Sequence, residues 1–163
     1  MAKIYMGIDI GLSGAIAMIE DGEITGSKMP ILGKGIDPQT IIAAMQHEKP
    51  DHVIFEKLGV IFGTSKATAF SMGYQSGVIE AACISLKIPY TIVPAKQWQK
   101  DMYVGVQEAK KSNGKRDTKA MALIACKRIF PDIDLTLTSR ANKPHDGYVD
   151  AILMAEWGKR NNL

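Results

Sequence analysis

Ile4-Tyr5-Met6-Gly7-Ile8-Asp9-Ile10-Gly11 places an acid at the end of an apolar strand, and the fold follows from that placement. Ile4, Met6, Ile8 and Ile10 fall on one face of the strand, with Tyr5, Gly7 and Asp9 on the other. Gly11 and Gly14 punctuate a turn into a second run, Ala15-Ile16-Ala17-Met18-Ile19. Asp21-Gly22 then signals a hairpin into Glu23-Ile24-Thr25. Three antiparallel strands therefore open the chain. A carboxylate ending a buried strand is costly to desolvate unless it is paired or holds a metal.

Further along, Asp37-Pro38 reads as an N-cap followed by proline at the first helical position. That helix runs through Ile41, Ile42 and Met45 and stops before Pro50. Val53-Ile54-Phe55-Glu56 closes a fourth strand over 52–56, again on an acid, and an apolar loop, 57–63, follows. The spacing predicts a long helix over 66–86. Its Ala69, Gly73, Gly77 and Ala81 recur every four residues, which suits close approach of another backbone from the sheet or from a second subunit. A fifth strand over 89–94 leads to a short helix near 95–102, a lysine-rich loop near 107–116, and helices over 117–129 and 145–160. Three meandering strands followed by alternating helix and strand describe an α/β fold. The expected architecture is one domain over 1–163, a five-stranded mixed sheet flanked by helices.

The 163 residues suffice to bury a core, and 46% hydrophobic against 23% charged residues is ordinary for a globular chain. No apolar stretch approaches a membrane span, and no signal peptide is visible at the N-terminus. Cys83 and Cys126 lack metal-ligand spacing and read as reduced core thiols of a cytoplasmic protein. The net charge of +3 hides an uneven distribution. Residues 1–56 hold 4 basic against 8 acidic residues, whereas residues 87–128 hold 10 against 3. A basic block of that kind suits a polyanion touching one face, or simply a solvated lysine-rich surface.

Asp9 and Glu56 both end strands, where open α/β sheets place their sites. Asp146 and Asp150 are at i and i+4, hence on one helix face, and Val149, Ile152, Leu153 and Trp157 pin that helix to the core. Hard oxygen ligands of this kind suit Mg²⁺ or Mn²⁺, and no Cys/His cluster argues for zinc. Two such ions about 4 Å apart activate a water and stabilise the leaving oxygen in phosphodiester hydrolysis. Taken singly, each acid has a plain alternative: a turn cap for Asp9, a surface strand end for Glu56, a helix cap for Asp146.

At Gly7-Ile8-Asp9-Ile10-Gly11 with Gly14, at Phe55-Glu56-Lys57, and at His145-Asp146-Gly147-Tyr148-Val149-Asp150-Ala151, the chain resembles RuvC-type Holliday junction resolvases of the RNase H-like superfamily. The order of elements agrees, so the resemblance spans nearly the whole chain. It implies a Mg²⁺-dependent endodeoxyribonuclease that resolves four-way junctions, and other branched DNA, by paired cuts. Two ions per active site are implied, with Mn²⁺ substituting. Asp9 then resembles the ligand shared by both metals, Glu56 and Asp150 complete their shells, and Asp146 is the fourth acid. Bacterial members place the last two acids three apart. Here they are four apart, with Gly147 at the intervening position, so His145 stands as an alternative to Asp146. The spacing and the Asp-Gly pair look more like phage-borne members, which would act in the host cytoplasm.

The same resemblance assigns Lys119 to the scissile phosphate, with Lys115 and Arg116 next to it and Lys110 and Lys111 farther out along the DNA. Lys57 and Phe62, in the segment after Glu56, are further candidate DNA contacts. Val60, Ile61 and Phe62 can wedge against unstacked bases at a branch point or pack under the long helix. The small-residue face of that helix implies a homodimer with two-fold-related sites. No membrane or small-molecule partner is implied. A nuclease on RNA–DNA hybrids and a non-catalytic branched-DNA binding module are the alternatives. An actin-like ATPase shares the opening motif but needs two such domains and a second Asp-Gly-Gly turn.

Overall fold

Asp9 ends the central strand of the sheet, so the strands around it decide what it meets. In a computed structural model that describes residues 2–59 and 65–163, strand β1 (Ile4–Asp9) pairs antiparallel with β2 (Ala15–Glu20), and β2 with β3 (Glu23–Lys28). On its other side β1 runs parallel to β6 (His52–Glu56), which runs parallel to β7 (Tyr90–Val93). The order β3-β2-β1-β6-β7 is the expected five-stranded mixed sheet. A two-stranded ribbon, β4 (Ile31–Leu32) with β5 (Gly35–Ile36), adds a feature that no sequence signal marked.

Helices cover both faces. Helix α1 (Pro38–Glu48) starts as expected: Asp37 accepts hydrogen bonds from the Gln39 and Thr40 amides, with Pro38 at the first position. Helix α2 (Lys66–Leu86) lies on the same face, over a core of Met6, Ile8, Val53 and Phe55. The opposite face carries α3 (Ala95–Met102), α4 (Thr118–Ile129) and α5 (Asp146–Arg160), packed on Tyr5, Ala15, Ala17, Ile19 and Ile54. The alternation of β1 assigns Asp9 to this second face, together with Tyr5 and Gly7. Asp9 therefore points to the layer that contains Asp146 and Asp150.

Helix α5 is buried nearly all round from Gly147 to Gly158, where the sequence pattern suggested a single apolar stripe. A helix enclosed by the sheet on one side and by α3 and α4 on the other has no solvent face to mark. Its approach to β1 is backbone to backbone. A Cβ on Gly7 would sit 1.9 Å from the Ala151 carbonyl oxygen and 2.8 Å from the Ala155 amide nitrogen. Gly7 thus sets how deeply α5 seats, and with it the reach of Asp150.

The small-residue face of α2 does not meet the sheet. A Cβ on Gly73 or Gly77 would find nothing within 4 Å, while Gln75, Ile79, Ala82 and Cys83 form the buried face. Both cysteines are buried and unpaired, as expected of core thiols. Among the described residues, no helix is long and apolar enough to cross a membrane.

Candidate metal centre and nucleic-acid interface

Because β1 and β6 are parallel neighbours with Ile8 opposite Phe55, the next residues, Asp9 and Glu56, emerge side by side at the C-terminal edge of the sheet. The first turn of α5 arrives at the same edge. His145 caps it, its Nδ1 accepting from the Tyr148 amide at 3.2 Å. That bond commits one ring nitrogen of His145 to the helix end, which favours a capping role over the ligand role. Asp9, Asp146, Asp150, His145 and Lys119 line one open cavity of about 410 Å³, floored by Gly11, Gly14 and Gly147. Glu56 lies outside that lining and is held from behind, where the indole Nε1 of Trp98 donates to its Oε2 at 3.2 Å.

Gly147 has a steric explanation. A Cβ there would lie 2.7 Å from Oδ2 of Asp9 and 2.9 Å from the Ser13 carbonyl oxygen. The position that holds an acid in the three-apart pattern is thus filled by the Asp9 carboxylate itself. Asp146, one residue earlier, is exposed and turned to α4, where Nζ of Lys119 donates to its Oδ2 at 2.6 Å. So exposed an ion pair contributes at most about 1 kcal/mol. Its interest is in placement, because it brings Lys119 to the acids.

The electrostatics divide the four acids. Burial, then the neighbouring Glu56, push the Asp9 carboxyl up to about 7, against a lowering influence of Lys119. Burial, then Asp9 and Glu56, push Asp150 up to about 7 as well. Burial raises Glu56 too, opposed by the Trp98 hydrogen bond. Three half-buried carboxylates that disfavour one another's charge form a site short of positive charge. Among the described residues, no three His, Cys, Asp or Glu side chains are gathered closely enough to enclose a cation. By donor type and by its lack of positive charge the set still suits a hard divalent ion, although its side chains are not drawn together around one position.

The lysine-rich loop is a hairpin. Lys110 bridges Arg116, the Lys111 amide donates to the Lys115 carbonyl oxygen at 2.8 Å, and Gly114 takes the left-handed turn position with φ 76°. Like charges therefore face each other across both pairs, which is unfavourable without an anion nearby. Arg116 also lines a groove of about 570 Å³ with Lys96, Gln99, Lys100, Tyr103 and Glu108. Lys96 and Lys100 were missed from the sequence. Their i, i+4 spacing on a helix beside a basic block was the available signal. Arg128, in the last turn of α4, donates to the carbonyl oxygens of Val104 and, at 3.4 Å, Met102. It ties α4 to the segment after α3. Lys57 is exposed just beyond β6. Val60, Ile61 and Phe62 lie outside the described residues.

No protein-family model and no curated protein matches the chain. Solved structures do. RuvC of T. thermophilus in complex with a Holliday junction substrate superposes with a TM-score of 0.62 at 13% identity, over 98% of this chain and 96% of that one. The yeast mitochondrial Holliday junction resolvase Ydc2 gives 0.63 at 13% identity, over 95% and 77%. The fowlpox virus resolvase, in complex with Holliday junction DNA, gives 0.52 at 12% identity, over 100% and 99%. The chain has the RNase H-like fold of the RuvC-type Holliday junction resolvases.

Proposed function

We propose that the protein is a metal-dependent endonuclease that resolves four-way DNA junctions. The observation that carries this reading is the convergence of Asp9, Glu56 and Asp150 at one sheet edge, with Lys119 across the cavity and a basic hairpin beside it. Asp9, Glu56 and Asp150 would hold Mg²⁺ or Mn²⁺, and Asp146 reaches the same cavity from its rim. When bound, such an ion would supply Lewis-acid activation of a water and charge stabilisation of the leaving phosphodiester oxygen. The chain's own contribution is electrostatic and positional. Lys119, released from Asp146, meets the scissile phosphate as it enters. Lys110, Lys111, Lys115 and Arg116 hold flanking phosphates, joined by Lys96 and Lys100 along the groove.

Two-fold pairing of sites follows from a homodimer through α2. Phe70, Tyr74 and Ile84 stand 78%, 54% and 61% exposed along the helix that also presents Gly73 and Gly77. An apolar stripe with small residues between large ones suits a second copy of the same helix. Cytoplasmic action is part of this reading, as is a branched rather than linear substrate. The neighbours named above include two in complex with Holliday junctions, which supports that substrate class. The reading is tested by Asp9→Asn, which should bind a labelled four-way junction in Mg²⁺ with near wild-type affinity and leave it uncut. Full cleavage by that variant would overturn the metal centre.

A further inference from the structure

Glu56 is held by an interaction that the proposed chemistry does not itself require. Trp98 is completely buried on α3, and its indole N–H donates to Oε2 of Glu56 at 3.2 Å. Among the described residues this is the single hydrogen bond to that carboxylate, so Oε1 is left without a protein partner. The indole is itself fixed. It meets the Tyr103 ring edge to face, with centroids 6.0 Å apart and planes at 83°. The Tyr103 hydroxyl in turn donates to the Thr118 carbonyl oxygen at 3.2 Å, at the start of the helix that carries Lys119. One aromatic pair, Trp98 on α3 and Tyr103 just beyond its end, therefore touches both walls of the site: the acid of β6 and the first turn of α4.

We propose that Trp98 is a positioning residue for the metal centre, its indole N–H holding one oxygen of Glu56 so that the other is presented to the cation. The proposal rests on the metal-dependent reading and adds a residue to it. A carboxylate on a single-bonded side chain samples several orientations, and a donor on one oxygen restricts them before an ion arrives. An indole suits the task because it donates from one fixed point and accepts nothing. The chain has a built-in control. Its other tryptophan, Trp157, donates to Oδ2 of Asp101 at 2.8 Å, a carboxylate outside the acid cluster.

Trp98→Phe retains a ring against Tyr103 and removes the N–H. Mn²⁺ binding to the DNA-free protein, followed by electron paramagnetic resonance, should weaken by about 10-fold or more. In cleavage assays the Mg²⁺ midpoint should rise while the rate at saturating Mg²⁺ largely recovers, a split that general loss of structure would not give. Wild-type affinity in Trp98→Phe, with wild-type protein binding Mn²⁺ normally, would overturn the positioning role alone. If wild-type protein binds no Mn²⁺, the role and the metal centre fall together. Should the variant not fold, wild-type protein decides. On adding Mg²⁺ the Trp98 indole N–H resonance should move and that of Trp157 should stay. Equal or absent movement of the two would reject the proposal.

Discussion

Replacing Asp150 by Asn should stabilise the protein when no divalent cation is present. Burial, Asp9 and Glu56 together lift the Asp150 carboxyl from 3.8 to about 7. A raised folded-state value means that the native protein keeps a proton which the unfolded chain has already released. Stability from this group is therefore present at low pH and is lost as the pH rises from about 4 to about 7. At about 1.4 kcal/mol per pKa unit, the rise corresponds to a ceiling of about 4 kcal/mol. The realised effect is smaller, because Asp150 lines a cavity open to solvent and its repulsion with Asp9 is shared between both groups. About 1–2 kcal/mol at pH 8 is the reasoned magnitude, or a rise in Tm of about 2–8 °C for a domain of this size. Thermal denaturation followed by circular dichroism, in a chelator, should show the Asp150→Asn variant above wild type at pH 8. The gap should close near pH 5, where the wild-type carboxyl is protonated and resembles the amide. Mg²⁺ should stabilise wild type and do much less for the variant. A variant less stable than wild type at pH 8, or an advantage of equal size at pH 5, would refute the account of a cation-deficient acid cluster.

Gly7→Ala puts a methyl where the Ala151 carbonyl oxygen stands 1.9 Å away, so it should cost on the order of 3 kcal/mol in urea denaturation as α5 is pushed off β1. Unchanged stability would contradict that close approach. Lys119→Ala removes an exposed ion pair and should leave Tm nearly unmoved, yet slow junction cleavage at saturating protein by about 10²-fold. A cleavage rate within threefold of wild type would remove Lys119 from the chemistry. Lys96→Ala with Lys100→Ala should weaken junction binding and lower the slope of log K against log salt by about 2, one for each phosphate no longer neutralised. An unaltered slope would place the DNA elsewhere.

The sheet and most helix boundaries were legible because local signals agreed with the tertiary outcome. Asp37-Pro38, Asp21-Gly22 and the period-2 run from Ile4 to Ile10 act within a few residues, and the structure keeps each of them. Asp9 beside Glu56 could be anticipated, since both end parallel strands. What escaped the sequence depends on contacts between distant segments. The enclosure of α5 hides its pattern, because a helix buried all round shows no stripe. Gly147 read as an interruption of an acidic pair, and only the Asp9 carboxylate lying 2.7 Å from its missing Cβ explains it. Trp98 carries no signal of its own in the sequence, and its N–H gains meaning only once Glu56 is beside it. The role of Arg128 was hidden for the same reason: its carbonyl partners, Met102 and Val104, lie on a distant segment.

Cleavage of a four-way junction against a linear duplex of the same sequence, in Mg²⁺ and in chelator, tests the central claim most directly. The acid cluster, the adjacent basic surface and the dimer proposed through α2 together predict paired, symmetric nicks in the junction, an intact duplex, and no cutting once the metal is withdrawn. Equal cutting of junction and duplex would contradict the branched substrate. Cutting that persists in chelator would contradict the metal centre built on Asp9, Glu56 and Asp150.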